Sequence, residues 1–216
     1  MSNINKPNKF LPTTKEEMKQ RGWDELDVIL ITGDAYIDSP FMGIAVVGRI
    51  LEDIGLRVGI IGQPDINSDV DIKRLGEPKL FWGVSGGSID SMVSNYTATK
   101  KFRNDDDYTP GGKNNKRPDR ATLVYTNLIR RYFKNTVPIV LGGIEASLRR
   151  LTHYDYWSNT LRKPILFDSK ADFLIYGMGE QAIIDLGLYL RDGKDVRTIA
   201  GLCYISKEPV KEYLQI

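Results

Sequence analysis

Short apolar runs alternate with amphipathic stretches along most of the 216-residue chain. Six runs are rich in β-branched residues and have the length of buried strands. They cover residues 27–32, 57–62, 79–84, 137–141, 171–176 and 201–206. Because helical periodicity fills most of the intervals between them, the pattern predicts βαβ units.

Helix start and stop signals divide the intervals further. Thr13 and Glu16 have capping-box spacing, with Gly22 as the stop. Ser39 and Pro40 suit the cap and first position of a helix over 41–54. Further helices are predicted over 68–76 with Ser68 as cap, from Ser88, and over 121–133 and 181–193, with a helix or turn over 142–150.

The predicted fold class is α/β, a doubly wound and mostly parallel sheet of the flavodoxin-like or Rossmann-like type. Residues 1–22 are assigned to an N-terminal arm and short helix, 23–207 to the α/β domain, and 208–216 to the start of a linker.

Composition narrows the functional classes. The net charge of +2 gives no bulk electrostatic case for nucleic-acid or membrane binding. The chain has one histidine and one cysteine, so a Cys/His zinc site or an iron–sulfur cluster held by this chain alone lacks ligands. Cys203 lies in an apolar run and is interpreted as a packed, unreactive thiol. The absence of a signal-like or membrane-length apolar segment makes the cytoplasm the expected location.

Glycines and acids follow four of the predicted strands. Because the carboxyl ends of parallel strands share one edge, we expect these turns to form a common ligand- or partner-facing strand-end rim. The glycines would let a ligand approach the backbone, although βα turns use glycine in any case. The candidate rim residues are Asp34, Tyr36, Asp38, Ser85, Gly86, Gly87, Ser88, Gly142, Gly143, Glu145, Gly177, Gly179 and Glu180.

The stretch VLGGIEASLRRLTHYDYW at 140–157 continues this rim past the fourth strand. It contains the only histidine and admits three interpretations: a catalytic site, a ligand-binding lip, or a helix start followed by a core face. Glu145 would lie early in a helix, where a carboxylate is favourable. Arg149, Arg150, His153 and Tyr154 are added to the candidate residues.

A polar segment, RNDDDYTPGGKNNKRPDR at 103–120, interrupts the alternation. A connection this long is usually functional or disordered, and we expect it to be mobile or to pack against another domain. With its flanks it supplies a candidate nucleic-acid contact, but three aspartates interrupt the cations and favour a solvated loop. The cations are Lys100, Lys101, Arg103, Lys113, Lys116, Arg117 and Arg120.

Several of these stretches together resemble one known family. They are DSPFMGIAVVGRILEDIG, FWGVSGGSIDSMVSNYTATKK, PGGKNNKRPDRATLVYTNLIRRYF, the 140–157 stretch and DFLIYGMGE. From about Phe10 to Ile216 the chain resembles the N-terminal region of YgiQ-like radical SAM proteins, and more broadly a cobalamin-binding-type α/β domain.

The resemblance implies a bipartite enzyme in which a barrel with a CxxxCxxC motif, a 4Fe-4S cluster and S-adenosylmethionine follows this domain. It implies no catalytic residue, metal or cofactor on this chain, and its own downstream radical SAM domain as partner; the substrate is unknown. Cobalamin domains that ligate cobalt from below use a histidine in a D-x-H-x-x-G turn, where this chain has Tyr36. Cobalamin bound without a protein ligand stays open, and so does complete loss of cofactor binding.

Three hypotheses therefore stand. The favoured one is an accessory domain that caps the barrel or helps bind substrate. The second is a corrinoid-binding module along the strand-end rim. The third is a stand-alone nucleotide or sugar-phosphate enzyme that uses Asp34, Asp38, Glu145 or Glu180, against which the lack of a phosphate-binding motif argues.

Overall fold

Eight strands form two sheets in the computed structural model, which describes residues 10–207. The main sheet has six strands in the order β2-β1-β3-β4-β7-β8, all parallel except β8. The strands β5 and β6 form a separate antiparallel hairpin. The strands are Val28–Thr32 (β1), Val58–Gly62 (β2), Phe81–Ser85 (β3), Ile139–Gly142 (β4), His153–Asp155 (β5), Thr160–Arg162 (β6), Phe173–Ile175 (β7) and Leu202–Tyr204 (β8).

Helices connect the parallel strands, as the alternating pattern predicts. They are Lys15–Gln20 (α1), Gly43–Asp53 (α2), Val70–Lys73 (α3), Ser91–Asn95 (α4), Ala121–Tyr132 (α5), Gly143–Leu148 (α6), Ile165–Ser169 (α7) and Glu180–Asp192 (α8), with a 3₁₀ turn at Val196–Thr198. The α/β prediction is confirmed, and the strand order is the flavodoxin-like one.

Two apolar cores lie on opposite faces of the sheet because successive strand side chains point to opposite sides. Ile29 and Ile31 of β1 pack in one core with Tyr125 of α5. Val28 and Leu30 pack in the other core with Leu51 of α2 and with α8. All five residues of β1 are buried, which explains why this strand is a continuous apolar run.

Several helix starts lie one to three residues beyond their predicted positions. The capping box of α1 uses Thr14 and Glu17, not Thr13 and Glu16. α2 begins at Gly43, after a turn that contains Ser39 and Pro40, and α3 has Asp69 rather than Ser68 in the cap position.

α4 begins at Ser91, where the side chain of Asp90 accepts bonds from the amides of Met92 and Val93. Ser88, the predicted start, instead binds Asp34.

The sequence pattern missed the β5–β6 hairpin and α7. Their apolar runs are too short to show a period, and Tyr154 and Leu161 point to solvent. The described part of the chain contains no helix with the length and apolar character needed to cross a bilayer. The predicted arm at 1–9 and linker at 208–216 lie outside the described residues.

Candidate functional site: the strand-end rim

The structure brings the four predicted turns to one edge of the sheet. Thr32, Ser85 and Gly142 end β1, β3 and β4 in direct register, and β7 ends beside them. The turns that follow therefore form a continuous strand-end rim. The side chains within it differ sharply in accessibility, and this divides the rim into an inner polar layer and an outer apolar surface.

Asp34 belongs to the inner layer and is only 1% exposed. Its Oδ2 accepts hydrogen bonds from the backbone N and the Oγ of Ser88, at 2.6 and 2.7 Å. Its Oδ1 lies 2.8 Å from Nη2 of Arg117, whose side chain is completely buried. Asp34 is therefore paired within the chain and does not face solvent as a free acid.

Arg117 comes from the polar segment 103–120. Its guanidinium also contacts Asp106, at 3.3 Å to Oδ1, and donates to the carbonyl oxygen of Gly86 at 3.2 Å. We refer to Asp34, Gly86, Ser88, Asp106 and Arg117 as the switch-point cluster, because they lie between β1 and β3, where the strand order reverses.

The rest of the 103–120 segment is anchored in the same way. The amide of Ala35 donates to the carbonyl of Tyr108 at 2.9 Å, and Gln63 donates to the Thr109 hydroxyl at 2.6 Å. Four of the segment's polar residues are more than nine-tenths buried, so the expectation of a solvated loop is wrong for them. They are Asp106, Thr109, Asn114 and Arg117.

The seven candidate nucleic-acid cations do not form one surface either. Arg117 is buried in the switch-point cluster, and Arg120 pairs with Asp155 at 2.6 Å. Lys100 donates to the carbonyl oxygens of Tyr156 and Trp157.

Glu145 is a second buried acid of the inner layer. Its Oε2 accepts from the amide of Ser91 and its Oε1 from the amide of Thr122, both at 2.9 Å. These amides belong to the first turns of α4 and α5, whose N–H groups lack helical partners. Glu145 thus caps two neighbouring helices, which the prediction that it favours its own helix dipole did not include.

Tyr36 and Asp38 point away from the inner layer. The hydroxyl of Tyr36 accepts a hydrogen bond from the amide of Leu11, and the ring packs against the core that contains Leu30. Asp38 is hydrogen-bonded to Arg49, which lowers the pKa of its carboxyl group. Arg49 also pairs with Glu52 at 2.6 Å, so Asp38 belongs to a structural ion-pair network.

Arg149 and Arg150 have different surroundings. Arg149 binds the carboxylate of Asp90; although burial opposes its charged form, this bond raises the pKa of Arg149. Arg150 donates to the Ser147 carbonyl and its guanidinium lies 5.0 Å from the ring centroid of Tyr176. Both arginines thus have partners within the rim.

His153 begins the β5–β6 hairpin. Its Nδ1 lies 3.0 Å from the carbonyl oxygen of Leu151, whereas its Nε2 is buried and has no hydrogen-bond partner. The adjoining cavity has a volume of about 20 Å³, which suits a single water molecule and excludes a substrate. The cavity is lined by Arg120, Leu123, Glu145, Arg149, His153, Arg162, Ile165 and Asp168.

Asp155 anchors this hairpin to the end of the polar segment. Its carboxylate accepts from Arg120 at 2.6 Å and from the Ser158 amide at 3.1 Å. Although burial acts in the opposite direction, hydrogen bonds from the Ser158 hydroxyl, from Arg120 and from the Ser158 amide lower the pKa of Asp155 to about 2. The predicted lip is therefore held by Asp155, two residues after the histidine on which sequence reasoning concentrated.

The outer surface of the rim is apolar. Phe41 and Met178 are each 92% exposed, although such side chains are normally covered in a folded protein. Gly177, Gly179 and Glu180 lie beside Met178 at the start of α8. We name six exposed apolar side chains that follow β1, β4 and β7, two of them within α6, the apolar rim patch: Ile37, Phe41, Ile144, Leu148, Leu151 and Met178.

A second cavity, of about 580 Å³, lies away from this rim. It is an open groove at the amino end of β7 and includes Phe167, Phe173 and Tyr204. Cys203, on the neighbouring strand, is half-buried against the core, and burial raises the pKa of its thiol. Within residues 10–207 no group of three His, Cys, Asp or Glu side chains is arranged to hold a metal ion.

A sequence profile of the family described as Radical SAM N-terminal matches residues 10–216, nearly the whole chain. The chain belongs to the radical SAM N-terminal family. The resemblance inferred from its motifs is thereby confirmed at the family level.

Long relatives of this radical SAM N-terminal domain are found in distant bacteria. The chain is 62% identical over 209 residues to the UPF0313 protein FN0734 of Fusobacterium nucleatum, covering 96% of this chain and 37% of that protein. It is 55% identical over 210 residues to a UPF0313 protein of Thermotoga maritima, with the same coverage. The chain thus spans about a third of the length of these relatives.

Solved structures share the fold of this domain. A radical S-adenosylmethionine methyltransferase, TsrM from Kitasatospora setae, superposes with a TM-score of 0.55 at 17% identity, over 84% of this chain and 29% of that one. One TsrM structure contains tryptophan and a SAM analogue, and another contains cobalamin and a [4Fe-4S] cluster. At this identity the likeness establishes the fold alone.

Sequence reasoning missed Arg117, Asp106, Asp90 and Asp155 as organisers of the rim. One signal was available for the first two: opposite charges within a long segment rich in Gly and Pro, which a solvated loop does not require. The pairing of Arg117 with Asp34 is a long-range contact that spacing along the chain does not encode.

Proposed function

We propose that this chain is the accessory N-terminal domain of a radical SAM enzyme and that its apolar rim patch packs against a downstream radical SAM domain. The patch carries the proposal. Several exposed apolar side chains at one edge of a domain usually mark a partner site, and here they lie on the rim where doubly wound domains bind ligands.

The length of the relatives indicates the occupant. About two thirds of each UPF0313 relative lies outside the part that this chain matches. A covalently linked domain has a high effective concentration, so a modest apolar patch suffices for stable packing. In this proposal the downstream domain supplies the 4Fe-4S cluster, the S-adenosylmethionine and the chemistry, while this domain supplies a wall for the partner or substrate.

The inner layer agrees with a non-catalytic role. A stand-alone enzyme would use Asp34, Asp38 and Glu145, but each of these acids has structural partners. Asp34 binds Ser88 and Arg117, Asp38 binds Arg49, and Glu145 caps two helices. Glu180 is exposed, but no second acid of this set lies free beside it among the described residues. We therefore place the stand-alone nucleotide or sugar-phosphate enzyme behind the accessory domain.

A binding experiment tests this proposal. The purified chain is titrated by calorimetry with the remaining two thirds of the Fusobacterium nucleatum relative, to whose N-terminal part it is 62% identical. The chain can replace that N-terminal part if the two proteins share the interface. We expect binding by the wild type, and at least tenfold weaker binding by the double variant Phe41→Ser/Met178→Ser.

The matched control is Phe167→Ser, since Phe167 is 52% exposed but lies at the opposite end of β7. It should bind like the wild type. Unchanged binding by the double variant, or equal weakening by the control, would contradict docking through the apolar rim patch.

A further inference from the structure

The switch point of the sheet is the place where a corrinoid-binding module would hold its ligand. In open parallel sheets, ligands bind outside the carboxyl ends of the strands at which the strand order reverses. Here that position lies between β1 and β3, because β2 pairs with the other edge of β1. The fit of a large cofactor therefore depends on what already lies outside Thr32 and Ser85.

The chain itself occupies this position. The fully buried guanidinium of Arg117 lies between Asp34 and Asp106 and reaches the Gly86 carbonyl. The Tyr108 ring centroid is 5.5 Å from the guanidinium carbon. A buried arginine needs such partners, because an unpaired buried charge is very costly.

Hydrogen bonds hold the segment against both neighbouring turns. The Tyr108 carbonyl accepts from the amide of Ala35 after β1, and Thr109 accepts from Gln63 after β2. The amide side chain of Asn95 in α4 donates to the Arg117 carbonyl at 3.2 Å. Three elements therefore fix the segment over the switch point, so that its displacement would break several buried polar contacts together.

The glycines of these turns make room for the chain rather than for a ligand. A Cβ on Gly33 would lie 2.1 Å from the Gly86 oxygen. A Cβ on Gly87, whose φ is +113°, would lie 2.2 Å from Oδ1 of Asp34. These close approaches explain why glycine stands at 33 and 87, in turns that sequence reasoning associated with a ligand-binding rim.

Tyr36 provides an independent observation. It stands where cobalamin domains that ligate cobalt have a histidine, but its hydroxyl accepts from Leu11 and its ring packs against the core on one face of the sheet. It therefore presents no atom to the switch point.

We propose that residues 103–120 permanently fill the switch point and that this domain, despite its cobalamin-binding-type fold, holds no corrinoid there. Arg117 takes the place of a ligand as the counter-ion of Asp34. The inference is independent of docking through the apolar rim patch, since it concerns the inner layer alone.

The test combines cofactor retention with hydrogen exchange of residues 103–120. The chain is mixed with hydroxocobalamin at tens of micromolar and desalted, and its visible spectrum is recorded, with Kitasatospora setae TsrM as the positive control. We expect no retained corrinoid and slow exchange in 103–120 that cobalamin leaves unchanged. Retention of about one corrinoid per chain would overturn the proposal, as would fast exchange of the segment without cobalamin.

The variant Arg117→Ala should accelerate exchange in this segment at least tenfold, whereas Arg103→Ala, an exposed arginine at its start, should not. If Arg117→Ala does not fold, Arg117→Lys replaces it, because lysine keeps the charge but cannot reproduce the guanidinium contacts. Unchanged exchange in a folded Arg117 variant would contradict the role assigned to Arg117. The wild-type measurements need no variant and decide the proposal by themselves.

Discussion

The inner layer and the outer surface of the strand-end rim lie on the same turns, yet they have opposite chemistry. Asp34 and Glu145 are 1% exposed and bind partners within the chain, whereas Phe41, which follows β1, and Met178, which follows β7, are 92% exposed. The topology determines where a ligand or partner would bind. It does not determine whether side chains of the domain itself already occupy that binding position.

The largest effect is expected from opening the inner layer. Arg117→Ala removes the counter-ion of two buried carboxylates, those of Asp34 and Asp106, and breaking such a pair costs about 3–5 kcal/mol. Chemical denaturation should show this loss. Lys116→Ala, at the exposed neighbouring position, should stay within about 0.5 kcal/mol of the wild type. Similar losses of unfolding free energy in both variants would show that the buried Arg117 contributes no more to stability than the exposed Lys116.

The double cap by Glu145 should give the next largest effect. Glu145→Ala removes two charge-assisted hydrogen bonds to helix amides, so we expect a loss of about 2–3 kcal/mol in thermal or chemical unfolding. Glu180→Ala also removes an acid from the first turn of a helix, but an exposed one, and should change stability by at most about 1 kcal/mol. Equal losses of stability in the two variants would mean that Glu145 acts only through the dipole of its own helix.

Asp155 should make the domain sensitive to acid. Its pKa is lowered to about 2, so its carboxylate contributes stability that is complete above its unfolded pKa of about 4 and is lost as pH falls through about 2. Asp155→Asn should therefore cost about 1–2 kcal/mol at neutral pH, and the difference from the wild type should shrink below pH 4.

The control for this profile is Asp107→Asn, an exposed position in the polar segment. It should change the free energy of unfolding at neutral pH by less than about 0.5 kcal/mol. A difference between wild type and Asp155→Asn that stays constant from neutral pH to about 2 would contradict the lowered pKa.

The smallest effect on stability is expected at the outer surface. Phe41→Ser and Met178→Ser remove side chains that are 92% exposed, so each should shift unfolding by less than about 0.5 kcal/mol in the isolated chain. Differential scanning calorimetry checks this. A large loss would mean that the apolar rim patch is part of the domain core and is not available to a partner.

The sequence predicted the sheet far better than the rim. Strands such as Val28–Thr32 are continuous apolar runs because both of their faces are buried, and such runs are visible without tertiary information. The roles of Arg117 and Glu145 depend instead on partners that are distant along the chain. Arg117 pairs with Asp34, 83 positions earlier, and Glu145 binds the amide of Ser91, 54 positions earlier. The exposure of Phe41 and Met178 could not be predicted either, because an apolar residue in a turn is compatible with both core and surface.

Hydroxyl-radical footprinting tests most directly whether the outer surface of the rim carries the partner. The chain is labelled alone and in the presence of the remaining part of the Fusobacterium nucleatum relative, and modification is read by mass spectrometry. We predict that Phe41 and Met178 react strongly in the chain alone and become protected in the mixture, while Phe167 reacts equally in both. Continued reactivity of Phe41 and Met178 in a complex that forms elsewhere on the domain would contradict the account.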